Sequence, residues 1–296
     1  MGLWNYLYTR VERRLSREPG GSQFPMSDFK RLRHEIKPCD VILVESKSKV
    51  AEVIKLMTAS PWSHAALYLG RLHDIGDPVV RQKVKDVYDG QPDVQLLIES
   101  QLGLGTVVRP LNVYETRHLR ICRPREISYD DAQAVIKYAV NRLGSEYDMR
   151  QIWDLARFYF PWGIMPRRFR SSLFEWQPGS CTKTVCSTML SEAFAFINFP
   201  VLPLVKRVEN GKIKLFQRNP KLNTPSDFDY SPYFDIIKYP FMSFNSEHDA
   251  RYRLMPWNEE GDLSKEESLY YVDKAQQMLP DHRDPFKRSI DEKENL

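Results

Sequence analysis

Five short β-rich runs crowd the segment between Asp40 and Cys122, and they restrict the fold more than any other feature of the chain. They are Asp40-Val41-Ile42-Leu43-Val44-Glu45, His64 to Leu69, Val94 to Glu99, Thr106 to Arg109, and His118 to Cys122. Each is apolar or β-branched and is bounded by polar or turn-forming residues. One helical pattern intervenes, Lys49 to Met57, with Val50, Val53, Ile54 and Met57 at helical spacing. Successive strands with so few helices between them favour an antiparallel sheet. The polar stretch 71–93, with Gly76, Pro78, Gly90 and Pro92, reads as a long hairpin or an insertion.

The periodicity then changes. Ser128-Tyr129-Asp130-Asp131 has an N-cap with acidic first-turn residues, and the helix it opens runs to about Leu143 and stops at Gly144. Further helices are expected over 150–160, ending before Pro161, and from near Thr182 to about Ile197. The run Tyr233 to Tyr239 supplies one more strand, and there is no internal repeat. Strands first and helices later make an α+β class.

Bulk properties exclude several function classes. A chain of 296 residues, 42% hydrophobic and 28% charged, suits one or two globular domains. The net charge of +4 is too small to argue nucleic-acid binding. Residues 1–37 carry eight Lys/Arg against four Asp/Glu, and residues 257–296 six against eleven, which gives a basic front and an acidic tail. The four cysteines, Cys39, Cys122, Cys181 and Cys186, have no metal-ligand spacing and are too few for a disulfide framework. No metal and no cofactor are expected, and a reducing, cytoplasmic compartment is the simpler reading. No signal peptide is read at the start, and Tyr6 spoils a myristoylation motif after Gly2. No apolar run reaches the roughly 18 residues that span a bilayer; the longest, Ala193 to Val205, is broken by Asn198, Pro200 and Pro203.

Two blocks carry chemistry. Thr182-Lys183-Thr184-Val185-Cys186-Ser187-Thr188-Met189-Leu190 places a cysteine where a helix begins. Unpaired N–H groups and the positive helix end favour a thiolate there and can bind an oxyanion. Pro61-Trp62-Ser63-His64 puts a histidine at the mouth of an apolar strand, where it can take the thiol proton. Glu99 ends the next strand, and antiparallel neighbours could set its carboxylate beside the imidazole to hold its tautomer. Each residue also has a plainer reading: a buried structural cysteine, a core histidine, a strand-end surface glutamate. Tyr147, just past a helix C-terminus, and Ser187, beside the thiol, are candidates to line the site or bind an oxyanion.

The combination resembles a family. Leu143-Gly144-Ser145-Glu146-Tyr147-Asp148, followed later by Cys186-Ser187 and an apolar helix, looks like the NlpC-type papain-like cysteine hydrolases. There the cysteine helix usually precedes the sheet; here the sheet comes first. That order resembles the circularly permuted YiiX/YebB-like branch, related to the lecithin:retinol acyltransferase group. Asp40 to Glu45, Trp62 to Tyr68, Leu97-Ile98-Glu99 and Thr224-Pro225-Ser226-Asp227-Phe228 are similar to blocks of that branch. The resemblance implies a permuted papain-like fold, an antiparallel sheet followed by a nucleophile-bearing helix, with Cys186 as nucleophile, His64 as base and Glu99 as orienter.

The resemblance covers residues 37–240, with an insert at 149–180; residues 1–36 form a basic amphipathic extension and 241–296 an acidic one. Leu3, Leu7, Val11 and Leu15 recur every four residues among arginines, so residues 3–17 form a helix that either docks on its own domain or lies on an anionic membrane. A late helix is expected over Lys265 to Leu279. Within the insert, residues 157–170 interleave aromatics with arginines, which suits a lid or a membrane interface. The expected activity is hydrolysis of an amide or ester, on a peptide or lipid-like substrate, through an acyl-enzyme. An acyltransferase on the same site, and a non-catalytic membrane-associated scaffold, are the alternatives.

Overall fold

The computed structural model describes residues 25–101, 104–147, 183–184, 186–207 and 211–240. The helices expected over 3–17, 150–160 and 265–279, the aromatic and arginine stretch 157–170, and Cys181 lie outside the described residues. Contacts divide the chain into two units, Met1–Met242 and Ser243–Leu296, and all described residues belong to the first.

A six-stranded antiparallel sheet organises that unit. Its strands are β1 (Val41–Glu45), β2 (His64–Gly70), β3 (Leu96–Gln101), β4 (Gly105–Pro110), β5 (His118–Pro124) and β10 (Phe234–Ile237), in the order β10-β5-β1-β2-β3-β4. The class is α+β, as the order of patterns along the sequence requires. β1 is central and buried throughout most of its length, which accounts for its unbroken apolar run. Its end at Val44–Glu45 pairs with two strand-opening histidines: Val44 lies opposite His64, and Glu45 opposite His118.

Side-chain alternation divides the core in two. Val41, Leu43, Ala65, Leu67 and Ile98 point to one face, where they pack with Val135, Ile136, Met189 and Phe194. Ile42, Val44, Ala66, Tyr68 and Leu97 point to the other, beneath Phe29, Leu32 and Ile36. Helix α1 (Phe29–Glu35) therefore covers the second face. It lies in the segment 1–36 and is tied to the sheet by Arg123, which bonds both Glu35 and the buried Asp40. Helix α2 (Lys49–Thr58) joins β1 to β2, with Ser48 as its N-cap.

The first face carries α3 (Pro78–Val87), α4 (Tyr129–Val140) and α5 (Cys186–Phe196). The stretch 71–93 is the long connection between the antiparallel neighbours β2 and β3, and it contains helix α3, which the sequence pattern does not signal. Asp77 accepts from the Val79 and Val80 N–H groups, Pro78 takes the first helical position, and Val80 and Val84, one turn apart, are buried. In α4 the expected cap is present: Asp131 N–H donates to Ser128 Oγ at 3.1 Å. Gly144, with φ of +75°, turns the chain back so that its N–H donates to Thr106 of β4.

Two short strands, β6 (Glu146–Tyr147) and β7 (Lys183–Thr184), pair in parallel, Tyr147 opposite Thr184. The segments on either side of the long insert thus pair side by side, just before α5. Helix α6 (Pro225–Tyr230) brings Phe228 against Phe194 and Phe234, with edge-on ring contacts of 5.3 to 5.5 Å to Phe234. This aromatic cluster and the bonds from Ser187 and Asn223 fix the long axis of α5. A separate hairpin, β8 (Leu204–Arg207) and β9 (Ile213–Phe216), follows α5. Among the described residues no helix is long and apolar enough to cross a membrane.

Candidate active site

The β2–β3 ladder runs through Leu67, Tyr68 and Gly70 and ends before the first residues of β2. Tyr68 N–H donates to Asp40 on the β1 side, so by alternation the Ala65 N–H points to the β3 side. There it meets the sulfur of Cys186, the first residue of α5. The end of the ladder therefore leaves a place in the sheet for the start of a helix.

The structure brings Cys186, His64 and Glu99 together. His64 and Glu99 occupy the alternation positions of the second face, with Ala66 and Leu97 between them and the sheet centre. His64 Nε2 lies 2.5 Å from Glu99 Oε2, and the thiol lies against the same imidazole. With Nε2 committed to the carboxylate, Nδ1 is the nitrogen left for sulfur. Glu99 is fully buried, while His64 retains 17% side-chain exposure.

A charge as buried as Glu99 needs donors. Tyr114, on the one-turn helix Leu111–Tyr114, donates its hydroxyl to Glu99 Oε2. Arg109, on β4, places Nη1 3.4 Å from Oε1 and 3.1 Å from Gln101 Oε1. Burial pushes the Glu99 pKa up, but His64, Tyr114 and Arg109 outweigh it and hold the carboxyl below its usual range. Tyr114 is pushed well above the ordinary phenol value by burial and by Glu99, so it stays a donor.

The same balance acts on His64 and Cys186. Burial lowers the His64 pKa, yet the facing thiolate and carboxylate raise it to about 10. Burial also opposes ionisation of Cys186, and the His64 imidazolium, with the Ala65 and Ser187 N–H groups, brings its pKa below the ordinary thiol value. The α5 N-terminus acts in the same direction. Cys39 and Cys122 are the contrast: both are buried, and burial drives their thiols far upward.

Ser187 and Tyr147 stand differently. Ser187 is buried, and its hydroxyl donates to the Asn223 carbonyl at 2.7 Å, so its side chain anchors α5 and only its backbone N–H faces the sulfur. Tyr147 is placed through backbone register alone, opposite Thr184, which lies just before Cys186 in the sequence. Arg109 and Tyr114 were not signalled by any motif; their positions follow from the β3–β4 register and the turn after β4. A cavity of about 270 Å³ lies elsewhere on α5, against Ser191, Phe199, Leu215 and Asn223, and includes none of the three central residues. Among the described residues no group of three or more His, Cys, Asp or Glu could hold a metal ion.

No family model matches the chain, and no curated protein matches it. Among solved structures it is similar to the crystal structure of metalloprotein yiiX from Escherichia coli O157:H7. The identity is 13% and the TM-score 0.42, with 69% of this chain and 97% of that one covered.

Proposed function

We propose that this chain is a cysteine hydrolase on a circularly permuted papain-like fold, acting on an amide or ester. The observation that carries the reading is one imidazole held between a buried carboxylate and a helix-terminal thiol whose pKa is lowered. In this mechanism the Cys186 thiolate attacks the substrate carbonyl carbon, and the C=O electron pair moves to oxygen. First-turn N–H groups of α5 receive that oxyanion. As the tetrahedral species collapses, the leaving group takes the proton from His64 Nδ1. Water then attacks the thioester carbonyl, giving its proton to His64, and the carboxylic acid leaves with the thiolate restored. Glu99, held by Tyr114 and Arg109, stabilises the imidazolium in the steps where His64 carries the proton. An acceptor other than water makes the same site an acyltransferase.

A non-catalytic binding protein is the second reading, and one observation favours it: Cys186 is only 2% exposed. Residues 1–17 and 157–170, proposed contacts to a membrane or a lipid-like substrate, lie outside the described residues.

The test is acyl trapping. The full-length chain is mixed with p-nitrophenyl acetate, butyrate and octanoate, quenched in acid, and the Cys186 peptide is weighed. The hydrolase reading expects an acyl mass on Cys186 that decays in water and is absent in Cys186→Ser. Nitrophenol release unchanged in Cys186→Ser, with no adduct on the wild-type peptide, would sink it.

A further inference from the structure

Both faces of the β8–β9 hairpin stay largely in solvent, although Leu215 and Phe216 also line the cavity on α5. Every residue of both strands is exposed, and Leu204, Val205, Ile213, Leu215 and Phe216 keep 46% to 65% of their surface in solvent. The register places Val205, Leu215 and Ile213 on one face and Leu204 with Phe216 on the other. A two-stranded hairpin gains nothing from showing both apolar faces to water.

Its charges are as one-sided as its burial. From Leu204 to Lys221 the chain has Lys206, Arg207, Lys212, Lys214, Arg218 and Lys221 against Glu209 alone, an excess of five where the whole chain carries +4. Arg218 is paired with Asp227, but among the described residues no carboxylate pairs with Lys206, Arg207, Lys212 or Lys214. Lys206 and Lys214 lie directly opposite each other, an arrangement that like charges disfavour.

We propose that this hairpin docks the protein on an anionic lipid bilayer. Lipid headgroups would neutralise the facing lysines, and the interface would take up apolar side chains from both faces at once. A protein partner or a second copy of the chain would cover one face and leave the other wet. The proposal is independent of the chemistry at Cys186.

The test is sedimentation of the full-length chain with two kinds of vesicle. One is phosphatidylcholine alone; the other contains about 30% phosphatidylserine. Amide exchange is read over residues 204–216 in the same samples. The expected result is binding to the anionic vesicles that weakens as salt rises from about 0.1 to 0.5 M, with slowed exchange on the hairpin. Lys206→Glu with Lys214→Glu, and separately Ile213→Ser with Leu215→Ser, each weaken partition by about tenfold or more. These side chains are exposed, so melting temperatures stay unchanged, and the exchange measurement on wild type does not depend on the variants. Failure to bind anionic vesicles, or binding undiminished in both variants, would overturn the proposal. So would hairpin protection that grows with protein concentration in the absence of lipid, which would mark a contact between copies.

Discussion

Two clusters flank the same end of β1, on opposite faces of the sheet, and they are built from matching parts. One holds His64, Glu99, Arg109 and Tyr114; the other holds His118, Asp229, Arg120 and Trp62. Each contains a strand-opening histidine, a carboxylate, an arginine and an aromatic ring, but the wiring differs. In the first, the carboxylate takes the histidine, and the arginine and tyrosine support the carboxylate. In the second, Arg120 and the Trp62 Nε1–H take both oxygens of Asp229. His118 is left stacked on Trp62 at 5.3 Å, with its Nδ1 buried and, among the described residues, without a hydrogen-bond partner. The pKa directions follow: His64 is raised by its charged neighbours, and His118 is lowered by burial. Residue type alone does not set the charge a histidine favours; the partner of the carboxylate decides it.

The largest effect expected on this contrast is from the histidines themselves. His64→Ala should slow alkylation of Cys186 at pH 6 by about 100-fold or more, because the thiolate loses its imidazolium. His118→Ala should leave that rate within about twofold, since His118 has no part in ionising the thiol. Comparable losses in both variants would erase the distinction between the clusters.

The carboxylates come next. Glu99→Gln should cost about 10- to 100-fold in the same rate by removing the charge that stabilises the imidazolium. Asp229→Asn should leave the rate unchanged and instead cost about 1.5–3 kcal/mol of stability, because a charged hydrogen-bond pair with Arg120 is lost. Thermal melts of the two variants, run beside the alkylation assay, separate the roles. Tyr114→Phe should act in the direction of Glu99→Gln but by less than about tenfold, since the carboxylate keeps its charge and Arg109.

The smallest effect is in the pH dependence of stability, where the histidines pull in opposite directions. His118 has a folded pKa below 6.5, so its contribution is full above pH 6.5 and is lost as pH falls through the lowered value. His64 has a folded pKa of about 10, so its contribution is full below pH 6.5 and is lost as pH rises toward 10. His118→Phe should therefore flatten the acid side of a melting-temperature profile, and His64→Gln the alkaline side. Both flattening the same side would contradict the assigned directions.

Much of the central site was legible because its signals are local. A cysteine opening a helix, a histidine opening a strand and a glutamate ending the next strand are each written within a few residues. Arg109 and Tyr114 were not, because only the β3–β4 register and a one-turn helix deliver them to Glu99. The stretch 71–93 does join antiparallel neighbours, but Gly76 and Pro78 hide its helix because they look like loop punctuation. Asp77-Pro78 is instead a cap followed by a favoured first helical residue, with Val80 and Val84 a turn apart. The β8–β9 hairpin was missed although Asn210-Gly211 is a strong turn signal. Its exposed apolar residues look, in sequence alone, like any buried strand. Ser187 was legible as a neighbour of the thiol, whereas its tie to the Asn223 carbonyl depends on a turn far along the chain.

The measurement that bears most directly on the account is the pH–rate profile of iodoacetamide labelling, read peptide by peptide in the intact chain. Cys39 and Cys122 serve as internal references, since both are buried thiols with pKa values pushed up. The ratio of rates across pH separates ionisation from access to the buried sulfur. The account predicts a Cys186 inflection well below the ordinary value of about 8.5, and its upward shift in His64→Ala. A Cys186 that labels like its two references, with the same profile in His64→Ala, would show that the thiol is structural and would contradict the catalytic reading.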